Sequence, residues 1–233
     1  VHHLRGHIAA LYLTHPELKP PFLCLVASGG HSHIVEVQDY THYHILGHTV
    51  DDAAGEAFDK VARTLGLPYP GGPSVANAAK TGDPKAYRLP VPHVDGKYNV
   101  SFSGLKTAVL NEVNKAQMKN EEINVPNLAA SFQERIAGIL AEKLLLAAAD
   151  TGAKQVCLAG GVAANSRIRG DFQAACDAAG IRLFVPPLKL CGDNAAMIGC
   201  QAYYEYLRGA RAGSELNAWA NMEISEVPFY GRA

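Results

Sequence analysis

Two short apolar runs, each ending in a pair of glycines, constrain the fold of this chain more than any other feature. Phe22–Ala27 runs into Ser28-Gly29-Gly30, and Gln155–Ala159 runs into Gly160-Gly161. Apolar runs of this length, bounded by turn signals, are typical of buried strands. The second run is followed by a helical, a strand-like and another helical pattern, at 163–179, 182–185 and 194–207. This alternation predicts an α/β fold in which helices flank a parallel or mixed sheet.

The stretch between the two runs predicts further elements. Strands at 31–37 and 43–48 should form a small meander with the first run, and 98–102 should be another strand. Asp51 and Asp52 predict the cap of an amphipathic helix that ends near Gly66. Apolar residues at three-to-four spacing predict the longest helix, Val125–Thr151. The remaining elements are a rigid loop and a short helix, at 68–73 and 74–80.

Composition excludes several classes of protein. The 233 residues are 48% hydrophobic and 18% charged, a balance typical of a globular chain rather than a disordered one. With 21 Lys and Arg against 22 Asp and Glu, no global positive field attracts nucleic acid, so any such contact is local or shared with a partner. No apolar run approaches the about 20 residues that a membrane span needs. Five widely spaced cysteines without a CxxC pair indicate neither a disulfide framework nor a zinc knuckle, so a cytoplasmic protein is expected.

A histidine pair opens the chain. His3 and His7 stand four positions apart, so on a helix both rings share one face and suit two bonds to one metal ion. An exposed or hydrogen-bonded pair is the alternative. Leu4 occupies the position at which the HExxH peptidase motif has its glutamate, so peptide hydrolysis by that route is not supported.

The glycine turns are candidate phosphate sites. Glycine lets backbone N–H groups approach an anion closely, and a following helix adds partial positive charge. A hairpin turn or close strand–helix packing explains either turn alone equally well. Asp59, deep in its predicted helix, is a candidate for ribose hydroxyls, whereas Asp193 is on local grounds an ordinary helix N-cap.

Taken together, the motifs resemble one family. They are HHLRGH, SGGHSHI, DDAAGEAFDKVARTLGLPYPGGP, YNVSFSGLKTAV, NLAASFQ, LAGGVAANSRIR and GDNAAMIG. In this order they are similar to the TsaD/Gcp/Qri proteins, the tRNA N6-adenosine threonylcarbamoyltransferases once described as O-sialoglycoprotein endopeptidases. The resemblance implies the actin/Hsp70/sugar-kinase fold, with two α/β lobes around a nucleotide cleft.

The resemblance also implies a reaction and a site. The reaction is transfer of a threonylcarbamoyl group from its AMP mixed anhydride to N6 of adenosine 37, in tRNAs that read codons starting with A. The implied metal ligands, for iron or zinc, are His3, His7 and Asp193. The implied contacts to the adenylate, or to ATP or AMP, are Val26, Ala27, Ser28, Gly29, Gly30, Asp59, Gly72 and Asn165. The implied partners are tRNA, a TsaB-like paralogue, a TsaE-like ATPase and a TsaC-type enzyme that supplies the substrate, with no membrane.

The chain also departs from the family pattern. It begins at Val1 rather than at a methionine, and it lacks the upstream strand and phosphate loop of the first lobe. We therefore expect the C-terminal two thirds of a family member, in which 21–191 form the second lobe, while 1–20 and about 192–233 pack on the missing first lobe. Ala76 replaces an acidic residue and Gly192 a threonine. We also expect Ile8, Leu11, Tyr12 and parts of the helix at 194–207 to lose their cover and the chain to oligomerise.

Two other functions fit the same fold. One is an ATP-dependent phosphotransferase or chaperone-like ATPase, for which a metal-binding histidine pair has no role. The other is a non-catalytic nucleotide-binding scaffold.

Overall fold

A computed structural model describes residues 1–219 and 222–226 and contains a five-stranded mixed sheet. The strand order is β3-β2-β1-β4-β5. The central strand, β1, pairs antiparallel with β2 and parallel with β4. The strands in chain order are β1 Phe22–Ala27, β2 Ser32–Val37, β3 Tyr43–His48, β4 Gln155–Ala159 and β5 Arg182–Phe184. The predicted meander is confirmed, and the sheet is mixed, one of the two predicted forms.

Seven α-helices flank this sheet in the described part of the chain. They are α1 His3–Ala9, α2 Ala54–Thr64, α3 Gly71–Ala78, α4 Ser103–Met118, α5 Val125–Thr151, α6 Ser166–Ala179 and α7 Ala195–Leu207. The α5 helix has the predicted bounds, because its ends carry strong local signals. Asn124 accepts a hydrogen bond from the Asn127 amide at its start, and Gly152 adopts a left-handed conformation at its end.

The strand β1 is buried along its whole length and contributes side chains to two cores. Successive side chains of a strand point to opposite faces of a sheet. Leu23 and Leu25 therefore lie in the larger core, which α2, α4, α5 and α6 cover. Cys24 and Val26 lie in a smaller core with α1.

Two of the predicted elements have different boundaries. The helix predicted at 74–80 begins at Gly71, inside the stretch predicted as a rigid loop. The helix predicted at 163–179 is a 3₁₀ turn, Gly161–Ala164, followed by α6. The break falls at Asn165, whose extended backbone and side-chain bonds to the Arg167 and Ile168 amides make it the helix cap.

Two other sequence predictions are wrong. The segment 98–102 is not a strand, because Val100 forms only an isolated parallel bridge with Thr49. Asp51 does not cap α2, which starts after Ala53 without a side-chain cap. Instead, Asp51 accepts hydrogen bonds from the Phe102 and Ser103 amides at the start of α4.

The first helix is covered within this chain. Ile8 and Leu11 are fully buried and Tyr12 is 9% exposed, so the expectation that they lose their cover is wrong. They pack in the smaller core with Phe22 and Ile224. Exposed apolar side chains do remain at the end of α7, where Tyr206 and Leu207 are about 60% exposed.

The division into lobes and the oligomeric state stay predictions. Within the described residues, no helix is long and apolar enough to cross a bilayer.

Candidate metal centre and adjoining cleft

Three side chains from opposite ends of the chain meet at one point. The α1 helix places His3 and His7 one turn apart, with ring centroids 4.8 Å from each other in an edge-to-face arrangement. The Asp193 carboxylate reaches both rings from the loop before α7. Its Oδ1 atom lies 3.3 Å from His3 Nε2 and 3.2 Å from His7 Nε2.

Close packing of α1 on α7 brings Asp193 to the rings. A Cβ atom on Gly6 would stand 2.9 Å from Ile198 Cδ1 and 3.3 Å from Met197 Cγ, which shows how closely the two helices approach each other at this glycine. Asn194, not Asp193, caps α7 by accepting a hydrogen bond from the Met197 amide. The local interpretation of Asp193 as an N-cap is therefore wrong, and its carboxylate is free to face the histidines.

The donor set fits a transition metal. One ligand atom from each residue lies within 4.8 Å of the others. Tetrahedral ligands with metal bonds of about 2.0–2.1 Å lie about 3.3 Å apart, close to both histidine–aspartate distances. Burial, with the neighbouring charge of His3, lowers the pKa of His7, which favours the neutral imidazole that metals bind. Three protein ligands leave a fourth position for substrate. Metal binding itself stays a prediction.

The Ser28-Gly29-Gly30 turn joins β1 to β2 beside the start of α2. The Ser28 amide donates to the His31 carbonyl within the turn, while the Gly55 amide donates to the Ser28 carbonyl. Gly29 and Gly30 are exposed, and their amides have no hydrogen-bond acceptor among the described residues. These two amides are therefore the donors that the turn offers to an anion.

A cleft of about 370 Å³ lies between this turn, α2, α3 and the start of α6. Four of the predicted substrate residues line it, namely Gly29, Asp59, Gly72 and Asn165. Four others do not. Val26 and Ala27 are buried within β1, and Ser28 and Gly30 lie in the turn outside the lining. The structure therefore brings together four of the predicted residues, one from each of four separate segments of the chain.

Asp59 and Asn165 also hold the walls of the cleft. Asp59 Oδ1 accepts from the Gly71 amide at 2.7 Å, so it fixes the start of α3. Asn165 caps α6 and donates from Nδ2 to Gln133 Oε1 at 2.8 Å. The other oxygen of Asp59 makes no hydrogen bond to the described residues and is the one available to a ribose hydroxyl.

Sequence reasoning missed two features of this region. Gly55 is one, since a Cβ there would stand 2.6 Å from the Ser28 carbonyl oxygen; its place in a helical stretch hid that role. The other is a cavity of about 820 Å³ beside His3, which is lined in part by His2, His31 and Trp219. The unusual number of histidines before residue 50 was the available signal.

Comparison with known proteins identifies the family. The sequence model described as "TsaD: tRNA N6-adenosine threonylcarbamoyltransferase" matches residues 1–200. The chain belongs to the TsaD family. A relative from Clostridioides difficile (strain 630), named tRNA N6-adenosine threonylcarbamoyltransferase, is 49% identical over 97% of this chain. A relative of the same name from Moorella thermoacetica is 50% identical over the same share.

This TsaD-family chain spans about two thirds of its relatives, 67% of the Clostridioides protein and 66% of the Moorella protein. Solved structures support the fold alone. Full-length HypF in its phosphate- and nucleotide-bound form superposes with a TM-score of 0.68 at 14% identity, over 90% of this chain and 36% of HypF. Component A of Acidaminococcus fermentans (R)-2-hydroxyglutaryl-CoA dehydratase gives 0.52 at 18% identity, over 90% and 69%. The fold is of the actin and sugar-kinase type.

Proposed function

We propose that this chain carries the reaction site of a metal-dependent tRNA N6-adenosine threonylcarbamoyltransferase. It would move the threonylcarbamoyl group of threonylcarbamoyl-AMP to N6 of adenosine 37 in tRNAs reading ANN codons, and AMP would leave. Family membership supports the reaction. The single observation that carries the site is the meeting of His3 and His7 with Asp193, which lies 186 positions after His7.

The three ligands would hold one iron or zinc ion. Nitrogen and carboxylate donors suit either metal, so the donor set does not choose between them. When bound, the ion supplies a Lewis acid that binds the acyl group and stabilises the negative charge that develops on it. The protein would supply the geometry, because α1 and α7 pack on each other and the three ligand atoms lie within 4.8 Å of one another.

The glycine turn and the cleft would hold the adenylate. The free amides of Gly29 and Gly30 would donate to the phosphate and orient it. Asp59 would accept from a ribose hydroxyl through its free oxygen, while Gly72 and Asn165 would border the nucleotide. Gly29 lines the cleft, and His31, two residues later, lines the cavity beside His3, so phosphate and acyl group would extend from the cleft toward the metal ligands.

The tRNA would require help from other proteins, because the chain has a formal net charge of −1 and so no global positive field to attract nucleic acid. We propose a TsaB-like paralogue and a TsaE-like ATPase as partners, with a TsaC-type enzyme as the source of threonylcarbamoyl-AMP. The reaction would take place in the cytoplasm, where tRNA and a reducing environment coexist. The five cysteines are all free, as such an environment requires.

Reconstitution tests this function. The protein, its partners, tRNA and threonylcarbamoyl-AMP are combined, and the modified nucleoside is measured by mass spectrometry. We expect product with the wild type, and a loss of at least 100-fold together with the stoichiometric metal in His3→Ala and Asp193→Ala. His93→Ala and Asp95→Asn are the controls, since both side chains are exposed and form no hydrogen bond to the described residues. The assignment would be refuted if no modified nucleoside formed with partner proteins that support the reaction of a related enzyme.

A further inference from the structure

Arg169 bridges the cleft and the loop that carries Asp193. It follows the Asn165 cap of α6 by one turn, and its half-buried side chain turns inward instead of extending into solvent. Its Nε atom donates to the Ala163 carbonyl at 2.5 Å. Its Nη2 atom donates to the Pro186 carbonyl at 2.6 Å and to Cys191 Sγ at 3.0 Å.

One end of this bridge belongs to the cleft. Ala163 is buried in the 3₁₀ turn Gly161–Ala164, and its neighbours Val162 and Ala164 line the cleft. Hydrogen bonds from a charged guanidinium to a carbonyl are stronger than neutral ones. The position of this cleft wall is therefore tied to the Arg169 side chain.

The other end belongs to the metal centre. Pro186 and Cys191 both lie in the loop that precedes α7. Asp193 follows Cys191 by two residues in the same loop. The Cys191 side chain is buried, and its thiol lies 3.6–3.7 Å from the Pro186 and Pro187 carbonyls. Arg169 thus holds two points of this loop, and among the described residues the exposed Asp193 side chain contacts only the two histidines.

We propose that Arg169 is a positioning residue that couples occupancy of the adenylate cleft to metal affinity. This inference rests on the proposed function, because it takes the cleft as the adenylate site and His3, His7 and Asp193 as the metal site. A nucleotide in the cleft immobilises the 3₁₀ turn and thereby the Arg169 side chain that is bonded to it. Arg169 in turn restrains the loop before α7, which keeps Asp193 at the histidines. Coupling between two binding sites is reciprocal, so the metal tightens nucleotide binding by the same factor. The rigid, planar guanidinium can hold all three acceptors at once, which a lysine ammonium cannot.

The test measures both affinities without any transfer reaction. Co²⁺ is titrated into metal-free protein by its visible absorbance, with and without saturating AMP, and AMP is titrated with and without Co²⁺. We expect AMP to tighten Co²⁺ binding by at least about five-fold in the wild type, the lower end of usual couplings. In Arg169→Met the factor should fall to within two-fold of unity. Arg167→Met is the matched control, because Arg167 pairs with Asp171 and with Glu134 of α5, its side chain makes no hydrogen bond to the 3₁₀ turn or to the Asp193 loop, and it should keep the wild-type factor.

Each outcome has a separate meaning. A wild type that binds both ligands without coupling, or an Arg169→Met protein with the wild-type factor, overturns the role of Arg169 alone. A wild type that binds no Co²⁺ or no AMP contradicts the proposed function instead. Should Arg169→Met fail to fold, Arg169→Lys keeps the charge and most of the stem, and the same loss of coupling is expected from it.

Discussion

Arg5 donates two hydrogen bonds to the carbonyl of Ile224, at 2.9 Å from Nε and 2.7 Å from Nη2, across 219 positions of sequence. Arg5 is 2% exposed, and its guanidinium lies 5.0 Å from the Tyr43 ring centroid and 3.7 Å from a Glu205 carboxylate oxygen. Arg5 stands between His3 and His7 on α1. The C-terminal segment 222–226 is therefore held to the helix that carries both histidines.

Arg5→Met should loosen this segment and lower stability. The substitution leaves the buried Ile224 carbonyl without its donor, a loss of about 1–3 kcal/mol at most. We expect a lower free energy of unfolding in urea and faster proteolysis near residue 224. Arg63→Met, at an exposed position of α2, should leave both unchanged. Equal proteolysis of the two variants would contradict this role for Arg5.

Replacement of the adjacent residues Asp51 and Asp52 should lower the free energy of unfolding by different amounts. Asp51 holds the start of α4 through the Ser101 and Ser103 hydroxyls and two amides. Asp51→Ala should therefore cost about 1–2 kcal/mol of unfolding free energy, as lost helix caps do. Asp52 forms a partly exposed pair with Lys60, which keeps Glu56 as a second partner, so Asp52→Ala should cost less than about 1 kcal/mol. Chemical denaturation of both variants measures the difference, and a larger effect at Asp52 would refute it.

Gly55→Ala should distort the Ser28-Gly29-Gly30 turn. An added Cβ would meet the Ser28 carbonyl and Gly29 Cα at 2.6 and 2.8 Å, and these backbone atoms must shift. We expect about 1–3 kcal/mol of destabilisation, as for overpacking, and weaker AMP binding by calorimetry. Gly138→Ala is the control, since the site on α5 is exposed and has no neighbour within 4 Å. That variant should gain about 0.5–1 kcal/mol, and unchanged AMP affinity in Gly55→Ala would contradict the role of the turn.

His33 should make stability depend on pH. Burial, reinforced by the charges of His31, His48 and His2, lowers its pKa from 6.5 to about 4. Between these values the unfolded chain binds more protons than the folded chain, so the free energy of unfolding falls as the pH drops from 6.5 to about 4. The shift corresponds to at most about 3 kcal/mol before solvent screening is considered.

His33→Gln should reduce this loss. Urea unfolding of metal-free protein at a series of pH values gives the slope directly, and the variant should show a flatter dependence below pH 6.5. The exposed residue His93 provides the control, since His93→Gln should keep the wild-type slope. Identical slopes in His33→Gln and the wild type would show that His33 titrates normally in the folded chain.

The parts of the fold that could be predicted are those with local causes. The bounds of α5 follow from its own periodicity, the Asn124 cap and Gly152. The role of Asp51 could not be read locally, because its partners lie 50 positions later and compete successfully for its carboxylate. The segment at 98–102 has strand-like composition, but only Val100 finds a bridging partner. Tertiary contacts override local pattern at both places.

The candidate site likewise has parts that the local sequence predicts and parts that it does not. The spacing of His3 and His7 predicts a shared helix face, which holds in α1. Local reasoning assigned Asp193 to a helix cap, and only the family resemblance placed it with the histidines. The decisive contact depends on how α1 packs on α7, which no local pattern encodes. The bridge made by Arg169 is hidden for the same reason.

The alternation of β1 side chains between two cores has a consequence for how this protein melts. Leu25 anchors the half with the cleft and Val26 the half beneath the histidines, and the two are neighbours on one strand. Neither half can lose its central strand without exposing the interior of the other. Calorimetry should therefore record one cooperative transition, and a ligand seated in either half should raise the melting temperature of the whole.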